Sequence, residues 1–272
     1  MTSPADWQLP PGVSREVWQY LHDSTVARRY DESLAGTPLL DLDRRFVERH
    51  LHGHRRVIDL GCGTGRIAVP LAKSGHAVTA VDLSEEMLRV AEEKATAAGV
   101  RLDLVRANIV TLDGFSPQAY DAAICMFAAL GMIAGADARR QVIANAFRLL
   151  MPGGLFLLHV HSRWHHLRTA AGRRWLIRDI FRTATGSAAA GDWQMEHHAG
   201  MTGWTMHLFT RGEITGILRS AGFEVIEVLP VGLTESGTLP RPRLFPGFRA
   251  YGFLIAARRP ESTGEKSRPV LS

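Results

Sequence analysis

A glycine-rich turn between an apolar strand and a helix constrains the fold of this 272-residue chain more than any other feature. Residues 57–60 are apolar apart from Asp59, and glycines follow at positions 61, 63 and 65. Glycine adopts positive φ without a steric penalty, and the missing Cβ lets a ligand approach the main chain. A second apolar strand runs to Asp82, 17 residues after Gly65. This pattern predicts half of a nucleoside-binding α/β sheet.

The spacing of these glycines argues against a dinucleotide ligand. A dinucleotide fingerprint has its third glycine one position later, where this chain has Arg66. Asp82 stands where an acidic side chain accepts hydrogen bonds from both ribose hydroxyls in this type of sheet. We therefore expect a ligand with a free ribose, rather than NAD or FAD.

Five segments of the chain resemble the sequence motifs of the class I S-adenosylmethionine-dependent methyltransferases. Residues 59–65 resemble the first motif and residues 81–84 the second, and three further matches follow in the family's order, at residues 106–109, 120–127 and 148–156. The order and spacing hold from about residue 55 to residue 160. The resemblance implies S-adenosylmethionine as cofactor and methyl transfer as activity.

Apolar periodicity predicts alternating strands and helices around these motifs. Strands are predicted at 57–60, 77–82, 101–105, 120–125, 154–160, 223–229 and 251–257, and helices at 14–30, 38–51, 65–73, 84–98, 137–150 and 211–221. The alternation predicts an α/β, doubly wound, mostly parallel seven-stranded sheet, and the resemblance implies an antiparallel edge strand. We expect residues 1–52 to form helices that close over the cofactor site. Residues 53–258 would form the methyltransferase domain, followed by a disordered tail at 259–272.

The resemblance also implies a set of cofactor-binding residues. Asp59 would orient the methionyl ammonium, or alternatively only cap the turn, and Asp82 would bind the ribose. Asn108 stands where the family often has an acid, and its amide oxygen can still accept a hydrogen bond from adenine. Core packing is the alternative for the apolar members and for Tyr30. The complete set is Tyr30, Asp59, Gly61, Cys62, Gly63, Gly65, Asp82, Leu83, Met87, Asn108, Ile109, Met126 and Phe127.

Histidines after the fifth predicted strand are candidates for acid–base chemistry. Ligands bind at the carboxyl ends of strands in open α/β sheets, and His159 and His161 lie there on one face of their strand. His161 is our candidate general base, which only a protonated acceptor such as a phenol or alcohol requires. Hydrogen-bonded packing is its alternative role. We predict no metal site, because these histidines lack supporting Cys or Glu spacing.

The segment 162–210 has no counterpart in the minimal fold and is predicted to form a cap beside the substrate site. Its first part, residues 163–182, holds six arginines and one acid, a local charge of +5 that equals the net charge of the whole chain. Arg174, Arg178 and Arg182 are spaced to form a solvated helix face, or alternatively to attract an anionic acceptor. Residues 192–196 and 203–209 alternate in polarity and predict a hairpin.

Composition limits the class of protein and its partners. Two cysteines form no disulfide framework, no apolar run reaches the length of a membrane span, and an export signal is not evident. We expect a cytoplasmic methyltransferase that acts on a small-molecule acceptor, with no membrane partner and no preference for nucleic acid. An RNA methyltransferase and a non-catalytic S-adenosylmethionine-binding regulator are the alternatives. The acceptor atom is expected to be oxygen or nitrogen.

Overall fold

A seven-stranded sheet forms the centre of the molecule. The computed structural model describes residues 4–34, 36–53, 55–195, 204–234, 236–241 and 243–261. The strands of this sheet are β1 (Arg56–Leu60), β2 (Ala77–Asp82), β3 (Asp103–Arg106), β4 (Tyr120–Cys125), β5 (Leu150–His161), β8 (Glu224–Val231) and β9 (Gly252–Arg258). A separate hairpin contains β6 (Asp192–Met195) and β7 (Trp204–His207).

The strand order confirms the predicted fold class. The order across the sheet is β3-β2-β1-β4-β5-β9-β8, and the first five strands are parallel. Strand β9 runs antiparallel to both of its neighbours, β5 and β8. Strands β2 and β3 lie to one side of β1, and β4 and β5 follow on its other side, so the strand order reverses at β1. The carboxyl ends of β1 and β4 therefore flank a topological switch point. Ligands bind at such a point in open α/β sheets.

Helices cover both faces of the sheet and precede it along the chain. The α-helices are α1 (Arg15–Leu21), α2 (Ser24–Leu34), α3 (Pro38–His50), α4 (Ala68–Lys73), α5 (Glu85–Ala97), α6 (Ala129–Met132), α7 (Ala136–Leu149), α8 (Ala170–Ala184), α9 (Arg211–Ser220) and α10 (Pro246–Arg249). Local signals start several of them. Ser84 Oγ accepts from Met87 N at the start of α5, and Thr210 forms a reciprocal capping box with Glu213 at the start of α9.

The predicted single helix over residues 14–30 was wrong. The chain breaks this helix between α1 and α2, and Asp23 Oδ1 accepts hydrogen bonds from the N–H groups of Thr25 and Val26. An aspartate in this position satisfies the free donors of a new helix and so favours a fresh start over continuation. Tyr20 of α1 and Tyr30 of α2 both line the cavity described below.

Apolar side chains from the sheet fill two core clusters, one on each face. One cluster includes Ile58, Phe156 and Ile255 with α7 and α9, and the other includes Val57, Ile124 and Leu157 with α3 and α4. Alternate residues of the same strands enter opposite clusters, as the pleat requires. Burial on both faces holds the central strands rigid, so the loops at their carboxyl ends keep fixed positions.

The segment between β5 and α9 contains a 3-10 helix (Arg163–Arg168), α8 and the β6–β7 hairpin. The predicted hairpin strands pair antiparallel from Asp192 with His207 to Met195 with Trp204, and its turn lies outside the described residues. The predicted disordered tail also lies outside them from residue 262 onward. None of the helices in the described ranges has the length and apolar character needed to cross a bilayer.

Candidate functional site

The glycine turn after β1 lies open toward the carboxyl ends of the strands. Gly61 and Gly63 have φ of +79° and +52°, and a Cβ at Gly63 would meet no atom within 4 Å. A ligand can therefore approach the backbone at Gly63 closely. Gly65 has a different role, because a Cβ there would come within 3.1 Å of the Ala91 Cβ on α5. Gly65 allows close packing of α5 and does not line the open space.

Asp82 ends β2 with its carboxylate held by backbone donors. Its Oδ2 accepts from Gly63 N at 2.8 Å and its Oδ1 from Ser84 N at 2.9 Å. Burial raises the pKa of Asp82, and the N–H groups of Ser84 and Gly63 partly offset that rise. The acid thus joins the glycine turn to the start of α5, with its orientation fixed before any ligand arrives.

Asp59 lies at the end of β1 beneath the turn. It is 3% exposed and does not line the cavity described below. Burial raises its pKa to about 7, Arg66 opposes that rise and the nearby Asp82 adds to it. A carboxyl group in this state gains from a cation bound nearby.

A cavity of about 110 Å³, open to solvent at its mouth, lies above these groups. The structure brings together in its wall every predicted cofactor-binding residue except Asp59 and Gly65. Residues that sequence reasoning missed also line it, namely Gly12, Val13, Val17, Tyr20, Leu21, Arg66, Ala107, Ala129, Met132 and Ile133.

The N-terminal segment supplies one wall of the cavity. Tyr20 of α1 is buried against it, and Tyr30 of α2 is half-buried there. Burial raises the pKa of both phenols, and a hydrogen bond between the two side chains adds to the rise at Tyr20. Both hydroxyls therefore stay protonated near neutral pH. The sequence pointed only to Tyr30, because Tyr20 reads equally well as a core residue of α1.

Asn108 makes two hydrogen bonds within the protein. Its Nδ2 donates to the Pro11 carbonyl at 2.8 Å, and its Oδ1 accepts from Val110 N at 3.0 Å. A carboxylate could accept the second bond but could not donate the first. The amide at this position therefore ties the N-terminal segment to the loop after β3, a contact that links residues 97 positions apart.

Arg66 and Phe127 form the part of the wall nearest β4 and β5. The guanidinium of Arg66 lies 4.8 Å from the centre of the Phe127 ring, and Arg66 Nη2 donates to Asp43 Oδ2 at 3.0 Å. The buried Arg66 Nη1 has no hydrogen-bond partner among the described residues. Phe127 and Ala128 both have positive φ, of 52° and 62°. Two consecutive strained residues point to a functional turn.

His159 and His161 share one face of β5, as predicted, but neither lines the cavity. The His159 ring is fully buried, and its Nδ1 is 2.7 Å from Asp43 Oδ1. His161 is half-buried, with its ring centre 6.2 Å from that of Phe127 and 4.7 Å from that of Tyr251. His161 therefore lies behind Phe127, whose side chain forms part of the cavity wall.

Three titratable groups at or just after the ends of β4 and β5 are held neutral. Burial and the neighbouring His165 lower the pKa of His166 to about 4, and burial together with Arg168 lowers the pKa of His165. Burial also raises the pKa of Cys125 to about 12, which fits the role of a small apolar core residue. No group of three or more His, Cys, Asp or Glu side chains in the described part of the chain is arranged to hold a metal ion.

Comparison with known proteins assigns this region to a family. A sequence profile for methyltransferase domains matches residues 57–154. A protein of Geobacillus sp. (strain WCH70), whose own assignment as a methyltransferase is provisional, is 37% identical over 140 residues, covering 50% of this chain and 56% of that protein. Glycine N-methyltransferase of Oryctolagus cuniculus is 32% identical over 173 residues, covering 59% of this chain and 55% of that enzyme. The chain thus spans about half the length of these curated relatives.

A solved structure extends the likeness to the whole fold. The 1,6-didemethyltoxoflavin-N1-methyltransferase of Burkholderia thailandensis, with 1,6-didemethyltoxoflavin and S-adenosylhomocysteine bound, has a TM-score of 0.62 at 21% identity. The match covers 93% of each chain. Residues 57–154 therefore match methyltransferase domains in sequence, and the chain as a whole shares the class I methyltransferase fold.

Proposed function

We propose that the protein transfers a methyl group from S-adenosylmethionine to a nitrogen or oxygen atom of a small-molecule acceptor. The observation that carries this proposal is the single cavity wall that combines the open turn at Gly63, the oriented Asp82 carboxylate and the unsatisfied Arg66 Nη1. The backbone at Gly63 matches the amino-acid part of the cofactor, Asp82 its ribose, and Arg66 the carboxylate of that amino-acid part. When bound, S-adenosylmethionine supplies a methyl group that its sulfonium has already activated.

Different residues would bind different parts of the cofactor. We assign the ribose to Asp82, the adenine to the pocket of Leu83, Met87 and Ile109, and the methionyl ammonium to Asp59. The assigned adenine pocket is apolar, which suits a flat aromatic base. Gly61, Cys62 and Gly63 would carry the amino-acid part on their backbone, and Met126, Phe127 and Tyr30 would lie on the acceptor side. Asn108 would contact the adenine edge through the free lone pair of its Oδ1.

Arg66 is the strongest candidate to bind the methionyl carboxylate. It is a cavity residue, its side chain is 15% exposed, and Asp43 satisfies only one side of its guanidinium. A buried donor without a partner costs about 1 to 3 kcal/mol, so a ligand carboxylate at Nη1 would recover that cost. The Phe127 ring beneath the guanidinium holds it in one plane.

A small acceptor suits this site better than a polyanion. Apolar side chains make up most of the cavity wall, and none of the arginines of α8 contributes to it. Two of the similar proteins are named for N-methylation of small molecules, glycine and didemethyltoxoflavin. Holding acceptor and cofactor in line can lower the barrier by about 7 to 11 kcal/mol without a dedicated catalytic group. For an acceptor that arrives protonated, we assign proton removal to His161, which borders Phe127.

The first test is calorimetric binding of S-adenosylhomocysteine to the wild type and to Asp82→Ala. We expect the variant to lose at least tenfold in affinity, about 1.4 kcal/mol, because the ribose contact is lost. Asp103→Ala is the matched control, since Asp103 is an exposed acid on the neighbouring strand β3. No binding by the wild type, or an equal loss in both variants, would overturn the site.

A turnover assay then separates an enzyme from a regulator that only binds the cofactor. Incubation with S-adenosylmethionine and a pool of small amines, phenols and acids should release S-adenosylhomocysteine above the protein-free rate. Release of copurified product without continued turnover would favour the regulator. Transfer that requires added RNA would favour the nucleic-acid alternative.

A further inference from the structure

The outward face of α8 carries large apolar side chains that no part of the described chain covers. Ile177, Ile180 and Phe181 are 59%, 55% and 69% exposed. These positions are three and four residues apart and so share one face of the helix. Burial of this face would remove a substantial apolar area from water, and contiguous exposed patches of this kind mark interaction sites. The helix is anchored through its opposite face by Leu176 and Gly172.

Arginines form a second stripe beside this apolar face. Arg174, Arg178 and Arg182 are exposed, lie four residues apart, and have no ion-pair partner among the described residues. At 100° per residue they lie along one edge of the stripe that Ile177 and Phe181 form. The single acid of α8, Asp179, is buried and paired with Arg163 at 3.2 Å. The exposed surface of α8 is therefore apolar and cationic, without a compensating negative charge.

A neighbouring segment has the same character. Leu244, Phe245 and Phe248, in and before α10, are 46%, 69% and 52% exposed, and Arg241 and Arg243 beside them are exposed as well. The two segments are joined through the 3-10 helix that precedes α8. Trp164 of that helix stacks near Phe248 at 5.1 Å, and Arg168 donates to the Arg249 carbonyl at 2.8 Å.

We propose that α8, with the Leu244–Phe248 segment beside it, docks on the surface of a lipid bilayer that contains anionic lipids. A helix with an apolar stripe flanked by arginines lies in the plane of the headgroups, with its apolar side chains among the acyl chains. Arginine stems extend along apolar surface and place their guanidinium groups at the phosphates. Charge complementarity selects the anionic surface, because the exposed face of α8 offers only positive charge.

The same charge argument makes a second copy of the chain a poorer occupant. A two-fold interface brings the same patch of both subunits together, so each arginine stripe would lie against its counterpart. Without an exposed acid on the helix to separate them, those charges would repel. The bilayer contact is a surface attachment that requires no membrane-spanning segment, and it departs from the expectation of no membrane partner that was drawn from the sequence. It is also independent of the proposed methyl transfer, because α8 does not line the cavity.

The test is co-sedimentation of the full chain with phosphatidylcholine vesicles that contain or lack phosphatidylglycerol. We expect binding to the anionic vesicles, little binding to the neutral ones, and release as salt rises from about 0.1 M to 1 M and the Debye length shortens. Arg178→Gln should weaken partitioning by roughly fivefold and the triple change at positions 174, 178 and 182 by much more. Ile177→Ser with Phe181→Ser should weaken it at every salt concentration.

Two controls keep the outcome interpretable. Arg101→Gln removes another exposed arginine, 93% accessible, just before the edge strand β3, and should leave partitioning unchanged. S-adenosylhomocysteine affinity should be the same in all α8 variants, which shows that they fold. Absence of binding to anionic vesicles, or equal loss with Arg101→Gln, would overturn the proposal. A dimer in sedimentation velocity that Phe181→Ser dissociates would also overturn it, since a second copy would then cover the face.

Discussion

Asp59 is a buried acid whose protonation state depends on what occupies the site beside it. Its pKa is raised to about 7, chiefly by burial, although Arg66 acts in the opposite direction. In the unfolded chain the same carboxyl group titrates near its ordinary value of about 4. Between these two values the folded protein binds one more proton than the unfolded chain. Stability from this group is therefore fully present below about pH 4 and is lost as the pH rises toward 7.

Asp59→Asn should remove this pH dependence. The neutral amide carries no charge to bury, so the variant should be more stable than the wild type by about 2 kcal/mol or more at pH 8. The difference should vanish below about pH 4, where the wild-type acid is protonated in both states. Urea unfolding at several pH values measures it, with Asp103→Asn as an exposed control. If the unfolding free energies of wild type and variant changed with pH in parallel across this range, the raised pKa of Asp59 would be contradicted.

At the scale of elements, a buried ion-pair network joins α3 to β5 and to the turn after β1. Asp43 of α3 accepts from Arg66 at 3.0 Å and lies 2.7 Å from His159 Nδ1. Asp43 and His159 are both fully buried. Burial alone would raise the pKa of Asp43, but His159 and Arg66 together bring it below its ordinary value. The network thus holds the Arg66 guanidinium at the cavity wall.

Removing the charge of Asp43 should loosen this junction. Asp43→Asn leaves Arg66 buried and unpaired, so we expect a loss of about 3 kcal/mol in the free energy of unfolding. The pKa of Asp43 is lower in the folded protein than in the unfolded chain. Its stabilising contribution is therefore fully present above the pKa of the unfolded state, and it is lost as the pH falls through the pKa of the folded state. Asp41→Asn on the same helix, an exposed acid, should change stability by about 0.5 kcal/mol or less.

His159→Gln, combined with Asp43→Asn, tests whether Asp43 and His159 stabilise the protein as a pair. The cycle of single and double variants should show a coupling of roughly 1 kcal/mol or more if Asp43 and His159 act as a pair. Additive losses would show that each packs separately. Weaker S-adenosylhomocysteine binding in Asp43→Asn, but not in Asp41→Asn, would show that the network positions Arg66.

Local signals in the chain account for the elements that could be predicted and for those that could not. The turn at Gly61 and the strand ending in Asp82 follow from periodicity and glycine spacing within a short window. The contact between Asp43 and His159 joins residues 116 positions apart, and no local sequence pattern predicts it. The break between α1 and α2 does have a local signal, because Asp23 is an acid that can cap a helix. The helical spacing of apolar residues across 14–30 obscured this signal. Arg66 was noticed only as a missing glycine, because its partners come from distant elements.

For the molecule as a whole, the N-terminal segment is fastened to the loops around the cavity. Asn108 holds the Pro11 carbonyl, and the N–H of Ala134 donates to the Gly12 carbonyl at 2.8 Å. Ser84 Oγ donates to the Leu21 carbonyl, and Thr64 Oγ1 donates to Asp31 Oδ1 at 2.7 Å. Asp31 also pairs with Lys94 of α5. These contacts reach the loops after β1, β2, β3 and β4, so the segment closes one side of the site.

This arrangement predicts that ligand binding and order in the N-terminal segment are coupled. A ligand in the cavity contacts Val13, Val17 and Tyr30 as well as the sheet, so opening of this segment must break ligand contacts. At 100 times its dissociation constant, a ligand stabilises the closed state by about 2.7 kcal/mol, roughly a hundredfold in amide exchange. Hydrogen exchange should therefore slow in residues 12–30 when S-adenosylhomocysteine is added. Helix α9, which packs against β8 and contributes no residue to the cavity, should show no such change beyond its global protection.

Asn108→Asp tests whether Asn108 holds the N-terminal segment in place or contacts adenine directly. The carboxylate keeps the bond from Val110 N but loses the donor to Pro11 and sets an anion against that carbonyl. We expect faster exchange in residues 12–17 without ligand and roughly tenfold weaker S-adenosylhomocysteine binding. An acid that instead accepts a hydrogen bond from the adenine amino group would bind the ligand as tightly as the amide or more so. Unchanged exchange with tighter binding would therefore assign Asn108 to the base and leave closure to α1 and α2.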